Sequence, residues 1–262
     1  MTAFVASGVD RVRELSPLVH NVTNLVAMTF SANVLIAAGA SPIMATAPEE
    51  AGELAGISAA LVVNMGTLTR DWVEGAEAAI VGALAAGRPW VLDPVGVGAS
   101  AFRRATGAAL VARGPRIVRG NASEILALAG MGAQGKGVDS TQGAEAAAEA
   151  AADLATRLGA VVAVTGAVDL VTDGRRQLKI ANGHPLLTRT TASGCALTGL
   201  IGAWAAVLED PLEAAAGALA AYGVAAELAA GHAQGPGTFV PALLDALAAL
   251  DGAEAARRAR VA

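Results

Sequence analysis

The chain has 262 residues, a formal net charge of −5, an apolar fraction of 54% and only 3% aromatic residues. That balance argues against nucleic acid or an anionic membrane as a partner, and no Lys/Arg run is interleaved with aromatics. A lone cysteine, Cys195, forms no intrachain disulfide and demands no oxidising compartment.

Along the chain, Asp10, Arg11, Arg13 and Glu14 sit on a helix-like stretch with no signal-peptide pattern. Residues 15–48 carry no formal charge, yet His20, Asn21, Asn24 and Asn33 make them too polar for lipid. Periodicity then predicts helices over 24–38, 71–86, 100–112, 123–129 and 141–158. Short apolar runs predict strands over 42–46, 60–64, 89–93, 116–119 and 160–165. These runs are continuous rather than alternating, as in strands covered on both faces. After Thr165 the pattern changes to a hairpin, 169–173 and 176–181, around Gly174, with a turn at Gly183-His184-Pro185. Three helices, 195–208, 212–231 and 236–250, close the chain. The apolar stretch 190–208 opens on Thr, Thr, Ala and Ser and suits a buried helix better than a membrane span. The order predicts a three-layer α/β/α fold with a mostly parallel central sheet, one domain over 1–262, in a cytoplasmic protein.

In such sheets ligands bind beyond the carboxyl ends of the strands. Polar residues and glycines gather there: Asn64-Met65-Gly66-Thr67, Asp93-Pro94, Gly120-Asn121 and Gly166. Residues 96–101 formally match a dinucleotide fingerprint, but Asp93-Pro94 places an acid where a pyrophosphate would approach. Residues 130–137 nearly match a P-loop, but Gly137 replaces the hydroxyl residue that ligates Mg²⁺. His20, His184 and His232 have no metal-ligand spacing.

Thr190-Thr191-Ala192-Ser193-Gly194-Cys195 opens a long apolar helix with small residues. The first amides of a helix lack intrahelical acceptors, and the dipole adds positive character there. Such a start holds a phosphoryl group or oxyanion; equally, Ser193 or Thr191 simply caps the helix. Asn121-Ala122-Ser123-Glu124 opens another helix. There, Asn121 or Ser123 acts as a cap, or Asn121 and Glu124 organise Mg²⁺ and its waters beside nucleotide phosphates. Asp93 is a further carboxylate near the same strand-end cleft.

Together Pro17-Leu18-Val19-His20-Asn21-Val22-Thr23-Asn24, Met44 in Ser41-Pro42-Ile43-Met44, Leu92-Asp93-Pro94-Val95-Gly96, Arg119 to Glu124 and the Cys195 segment resemble the hydroxyethylthiazole kinase family. The resemblance covers about residues 15–250. It implies a ribokinase-like fold and transfer of the ATP γ-phosphoryl group to the hydroxyethyl oxygen of hydroxyethylthiazole, with Mg²⁺, in thiamine salvage. It implies a homotrimer with sites at subunit boundaries. Asn24 and Met44 would line the thiazole pocket, completed by Ala192 and the amides of Gly194 and Cys195 from another subunit. Arg119, Thr165 and Asn121 would contact ATP, and Asp93 and Glu124 would serve Mg²⁺. Cys195 stands where superfamily relatives carry an aspartate base, and the helix start is expected to lower its pKa. The family usually has glycine where this chain has Ala192. Rival readings are a kinase for another small alcohol, such as a hydroxymethylpyrimidine, and a sensor that binds without turnover.

Overall fold

A computed structural model describes residues 2–130 and 140–262. Its strands are β1 (Leu18–Val22), β2 (Ser41–Ile43), β3 (Ala60–Asn64), β4 (Trp90–Asp93), β5 (Ile117–Asn121), β6 (Val161–Thr165), β7 (Asp169–Thr172) and β8 (Gln177–Ile180). They form one eight-stranded sheet in the order β2-β1-β3-β4-β5-β6-β7-β8. Strands β1 to β6 run parallel, and β7 and β8 add antiparallel at one edge.

Successive strand residues point to opposite faces, and both faces are apolar. Val62, Val91, Ile117 and Val161 pack on one side with α1 (Ala3–Leu15), α2 (Met28–Ala38), α8 (Ser193–Val207), α9 (Pro211–Ala230), α10 (Pro236–Ala249) and α11 (Gly252–Arg258). Leu61, Leu92, Val118 and Val162 pack on the other side with α3 (Pro48–Ile57), α4 (Arg70–Ala85), α5 (Ala101–Val111), α6 (Ala122–Leu128) and α7 (Ser140–Leu158). Two covered faces explain the unbroken apolar runs. α9 is the one helix among the described residues long and apolar enough to cross a bilayer, and most of it is buried.

The abundance of alanine and glycine has a packing consequence. Trp204 of α8 is slotted between helices α1 and α9 at Gly8 and Gly217. A Cβ at those positions would come within 2.1 and 2.2 Å of its ring. α3 and α4 touch backbone to backbone, since a Cβ on Gly82 would lie 2.0 Å from the Gly52 carbonyl oxygen.

Several elements differ from the sequence expectation. β1 escaped it because His20 and Asn21, both polar, are buried in that strand. Asn21 faces α8, where its Oδ1 would be 3.5 Å from a Cβ on Gly199. α3 was not expected because its buried residues are only Ala51 and Ala55, too weak a pattern to read. α2 starts at Met28 rather than Asn24, because Asn24 Oδ1 accepts the Ala27 amide at 2.9 Å and holds a turn. The hairpin formed as expected, with Gly174 at φ 85°, and a 3₁₀ turn, Pro185–Arg189, follows His184. The near P-loop at 130–137 lies, beyond Gly130, outside the described residues.

The α3–α4 contact is directly testable. Alanine ordinarily favours a helix over glycine by roughly 1 kcal/mol. Here a Gly82→Ala methyl has only backbone to displace, so overpacking of about 1–3 kcal/mol prevails. A thermal melt should show Tm lowered by several degrees; an unchanged or raised Tm would contradict the close approach.

Candidate active site

The strand ends meet around Asp93. Parallel register sets Asn64 of β3 beside Asp93 of β4, and Asn121 of β5 beside Thr165 of β6. Asp93 is fully buried. Its Oδ2 accepts hydrogen bonds from Asn64 Nδ2 and Thr198 Oγ1, both at 2.7 Å, and lies 3.7 Å from Arg119 Nη1. Its Oδ1 is buried without a partner. Desolvation pushes this carboxyl up to about 6, opposed by the Arg119 guanidinium and the Thr198 hydrogen bond. A buried carboxylate that lines a cleft and keeps one oxygen unpartnered is suited to a cation or an ordered water.

The network continues from Asn64 to the start of α8. Asn24 Nδ2 donates to Asn64 Oδ1 at 2.7 Å and to Cys195 Sγ at 3.4 Å. Gly66 makes room for it, since a Cβ there would sit 2.6 Å from the Asn24 side chain. Asn24 and the α8 start thus meet within one chain, whereas the expectation from the resemblance drew them from different subunits.

The α8 N-terminus is open. Its N-cap is Ala192, with no side-chain cap, so neither Ser193 nor Thr191 caps it. The first intrahelical bond runs from the Ala196 amide to the Ala192 carbonyl. The amides of Ser193, Gly194 and Cys195 therefore have no intrahelical acceptor. Gly194 lets Arg119 lie against them, because a Cβ there would be 2.7 Å from Nη1. Arg119 Nη2 donates to Thr165 Oγ1 at 2.7 Å, which fixes the guanidinium. Helix start and guanidinium together make a strongly anion-seeking corner.

Cys195 departs from expectation. Burial, then the nearby Asp93 charge, push its thiol up, and the Asn24, Asn64 and Arg119 contacts only partly oppose this. The net direction is upward, which favours the protonated thiol.

A cavity of about 710 Å³ connects these groups, lined among others by Asp93, Arg119, Thr165, Ala192 and Cys195. Asn121 and Glu124 also line it, and the structure gives them a capping box on α6. Glu124 Oε2 accepts the Asn121 amide at 2.9 Å and Oε1 the Gly96 amide at 3.0 Å. Asp169, absent from the sequence reading, also lines the cavity. Its carboxyl is raised to about 6 by burial, against the Gly166 amide that it accepts at 2.9 Å and the Arg119 charge. Nothing in its local sequence marks it apart from its place beside Thr165-Gly166. Met44, half-buried after the edge strand β2, does not line the cavity of the single chain.

With this geometry in view, comparison with known proteins is decisive. The Hydroxyethylthiazole kinase family matches residues 9–253. The chain belongs to this family. A protein named hydroxyethylthiazole kinase from Cereibacter sphaeroides (strain ATCC 17029 / ATH 2.4.9) is 59% identical over 252 residues, covering 96% of each chain. Its namesake from Rhizobium etli (strain ATCC 51251 / DSM 11541 / JCM 21823 / NBRC 15573 / CFN 42) is 56% identical, covering 96% of this chain and 98% of its own. The solved structure of the Pyrococcus horikoshii OT3 hydroxyethylthiazole kinase protein aligns with a TM-score of 0.91 at 42% identity, covering 99% of this chain and 98% of that one. A Staphylococcus aureus pyridoxal kinase, at 18% identity and TM-score 0.59 over 80% of this chain and 87% of its own, shares the fold. The mostly parallel, ribokinase-like α/β architecture expected from the sequence therefore stands.

For a member of this family, Asp93 is an acid held at a cost to stability. Its native pKa lies above the unfolded value near 3.9, so the folded state binds the extra proton between about pH 4 and 6. Stability from this group is present at low pH and lost as pH rises through about 6. Asp93→Asn should therefore melt several degrees above the parent at pH 8, with the gap closing below about pH 4. A variant less stable than the parent at pH 8 would refute the assignment.

Proposed function

We propose that this chain, as one kinase domain over 1–262, transfers the ATP γ-phosphoryl group to the primary alcohol of hydroxyethylthiazole, the thiamine-salvage reaction its relatives are named for. The observation that carries the reading is the uncapped α8 start, with Arg119 packed on Gly194, at the edge of a cavity that also holds Asp93. Phosphoryl transfer asks for alignment and charge neutralisation rather than covalent help. Amides 193–195 and Arg119 receive the charge on the moving phosphoryl oxygens. Thr165 and Asn121 line the nucleotide side, and Asn24 orients the thiazole side through its bond to Cys195.

The free Oδ1 of Asp93 supports a Mg²⁺ site there. Mg²⁺ bound at Asp93, with Glu124 acting through water, would neutralise phosphate charge; Mg²⁺ takes few protein ligands. Among the described residues no three His, Cys, Asp or Glu side chains cluster for a tighter site. The role of Glu124 that has direct support is to tie the Gly96 loop to the start of α6.

Two features support a homotrimer with shared sites. Met44 stands outside the single-chain cavity, and Leu25 and Val26, next to Asn24 in sequence, and Ile36, near the end of α2, are 77%, 64% and 61% exposed. A neighbouring subunit's cavity would receive Met44, and the α2 region would be covered. The enzyme is read as cytoplasmic, and the net charge of −5 supports the absence of nucleic-acid partners.

Cys195, as a neutral thiol, orients the alcohol instead of carrying its proton as a thiolate; in a loose transition state that proton leaves late. ADP release in a coupled assay should depend on added hydroxyethylthiazole, and hydroxymethylpyrimidine should be a poor replacement. Cys195→Ala should lower kcat by about tenfold, the loss of one positioning contact of ~1.4 kcal/mol, without loss of ATP binding, and Cys195→Asp should remain active. Thiazole-independent ADP release would sink the kinase assignment, and an unimpaired alanine variant would remove Cys195 from the mechanism.

A further inference from the structure

Ala192 adopts φ 65°, a left-handed conformation shared by only one other non-glycine residue, Ser16, among the described residues. For an L-residue with a Cβ this costs about 1–2 kcal/mol. Such strain persists only where the surroundings over-determine it. Four contacts among the described residues act on the segment that follows. Arg119 rests on Gly194, Asn24 donates to Cys195 Sγ at 3.4 Å, and Thr198 donates to Asp93 at 2.7 Å; these belong to the site already described. The fourth comes from α9, where Tyr222 is buried with its hydroxyl on Ser193. That hydroxyl donates to the Ser193 carbonyl oxygen at 3.3 Å and lies 3.2 Å from Ser193 Oγ.

Ser193 is the first residue of α8, between the strained Ala192 and the open amides. The Tyr222 hydroxyl has no other protein partner among the described residues. Burial pushes the phenol up to about 12, so it keeps its proton over any working pH. A bare packing role would be filled by phenylalanine. The hydroxyl therefore needs a separate reason, and the strained turn beside it supplies one.

We propose that Tyr222 is a positioning residue for phosphoryl transfer: its hydroxyl holds Ser193, and through it keeps Ala192 in the left-handed turn that aims the amides of residues 193–195 into the cleft. The inference rests on the reading of the α8 start as the phosphoryl seat. Glycine reaches positive φ without a steric penalty. A glycine at 192 would hold the turn by itself, and the tyrosine hydroxyl would become dispensable. An alanine there makes the hydroxyl necessary.

The experiment compares Tyr222→Phe in two backgrounds, the natural chain and Ala192→Gly, by steady-state ADP release and by thermal melting. In the natural background Tyr222→Phe should lower kcat about five- to tenfold, the scale of one lost hydrogen bond. KM for both substrates should stay within about twofold, because the amides act on the charge that develops in the transition state. In the Ala192→Gly background the same substitution should cost less than about twofold, and its Tm penalty should shrink in parallel. Equal losses in both backgrounds, or none in either, overturn the proposal. If Tyr222→Phe does not fold, Ser193→Ala, which removes one of the two hydroxyl contacts, is read in the same two backgrounds by the same criterion. If no variant shows thiazole-dependent ADP release, the kinase reading falls, and the melting data still decide the coupling between positions 192 and 222.

Discussion

One buried carboxylate organises the molecule's carboxyl-end face. Asp93 gains nothing from burial; losing water is what raises its pKa. The protein compensates with two 2.7 Å hydrogen bonds, from Asn64 on the neighbouring strand and Thr198 on α8, and with Arg119 from β5. Each partner is then used again. Asn64 also receives Asn24, Arg119 also grips Thr165 and covers Gly194, and Thr198 fixes the second turn of α8. A charge left partly unsatisfied at Oδ1 thus ties together three strands and a helix start. The arrangement costs stability and leaves one buried carboxylate oxygen unpartnered on a residue that lines the cleft, the trade that functional sites commonly make.

The layers behind this face explain why the helix start can be held open. α8 is nearly all apolar and buried, anchored by Trp204 in a slot that Gly8 and Gly217 leave vacant. With its body fixed by packing, its first turn needs no side-chain cap for stability. The amides that an Asp or Ser N-cap would have satisfied remain available. Arg119 packs on Gly194 and Tyr222 donates to the Ser193 carbonyl oxygen, so both contact this turn from outside the helix without taking up its open amides.

The sequence made the layered parallel sheet legible because strands buried on both faces read as unbroken Val, Ile and Leu runs. β1 was illegible for the opposite reason. Its His20 donates from Nε2 to the Ala45 carbonyl oxygen at 2.8 Å, and its Asn21 faces α8, so a central strand reads locally as polar. Strand-end polarity did point to Asn64, Asp93 and Asn121, whereas Thr165 came from the family resemblance; Asn64 bonds Asp93, Asp93 and Thr165 contact Arg119, and Asn121 caps α6. Asp169 stayed hidden because its burial, its place on the cavity wall and its approach to Arg119 are set by tertiary structure, although its bond to the Gly166 amide is local. For Cys195 the helix start argues for a lowered pKa, while burial and the Asp93 charge, both set by tertiary structure, push the thiol up. Local sequence carries the dipole; it does not carry the desolvation.

Position 192 shows how one methyl group redistributes responsibility within such a site. With glycine, the left-handed turn before α8 is intrinsic to the backbone, and its neighbours are free of any duty to enforce it. With alanine, the same turn must be held by contacts with residues distant in sequence, and the molecule supplies them from β5 and α9. The alanine also narrows the unfolded ensemble relative to glycine, which offsets part of the strain. An alanine in place of glycine therefore moves the control of this turn from the loop itself to the core. The geometry becomes as reliable as the packing of Tyr222, and no more.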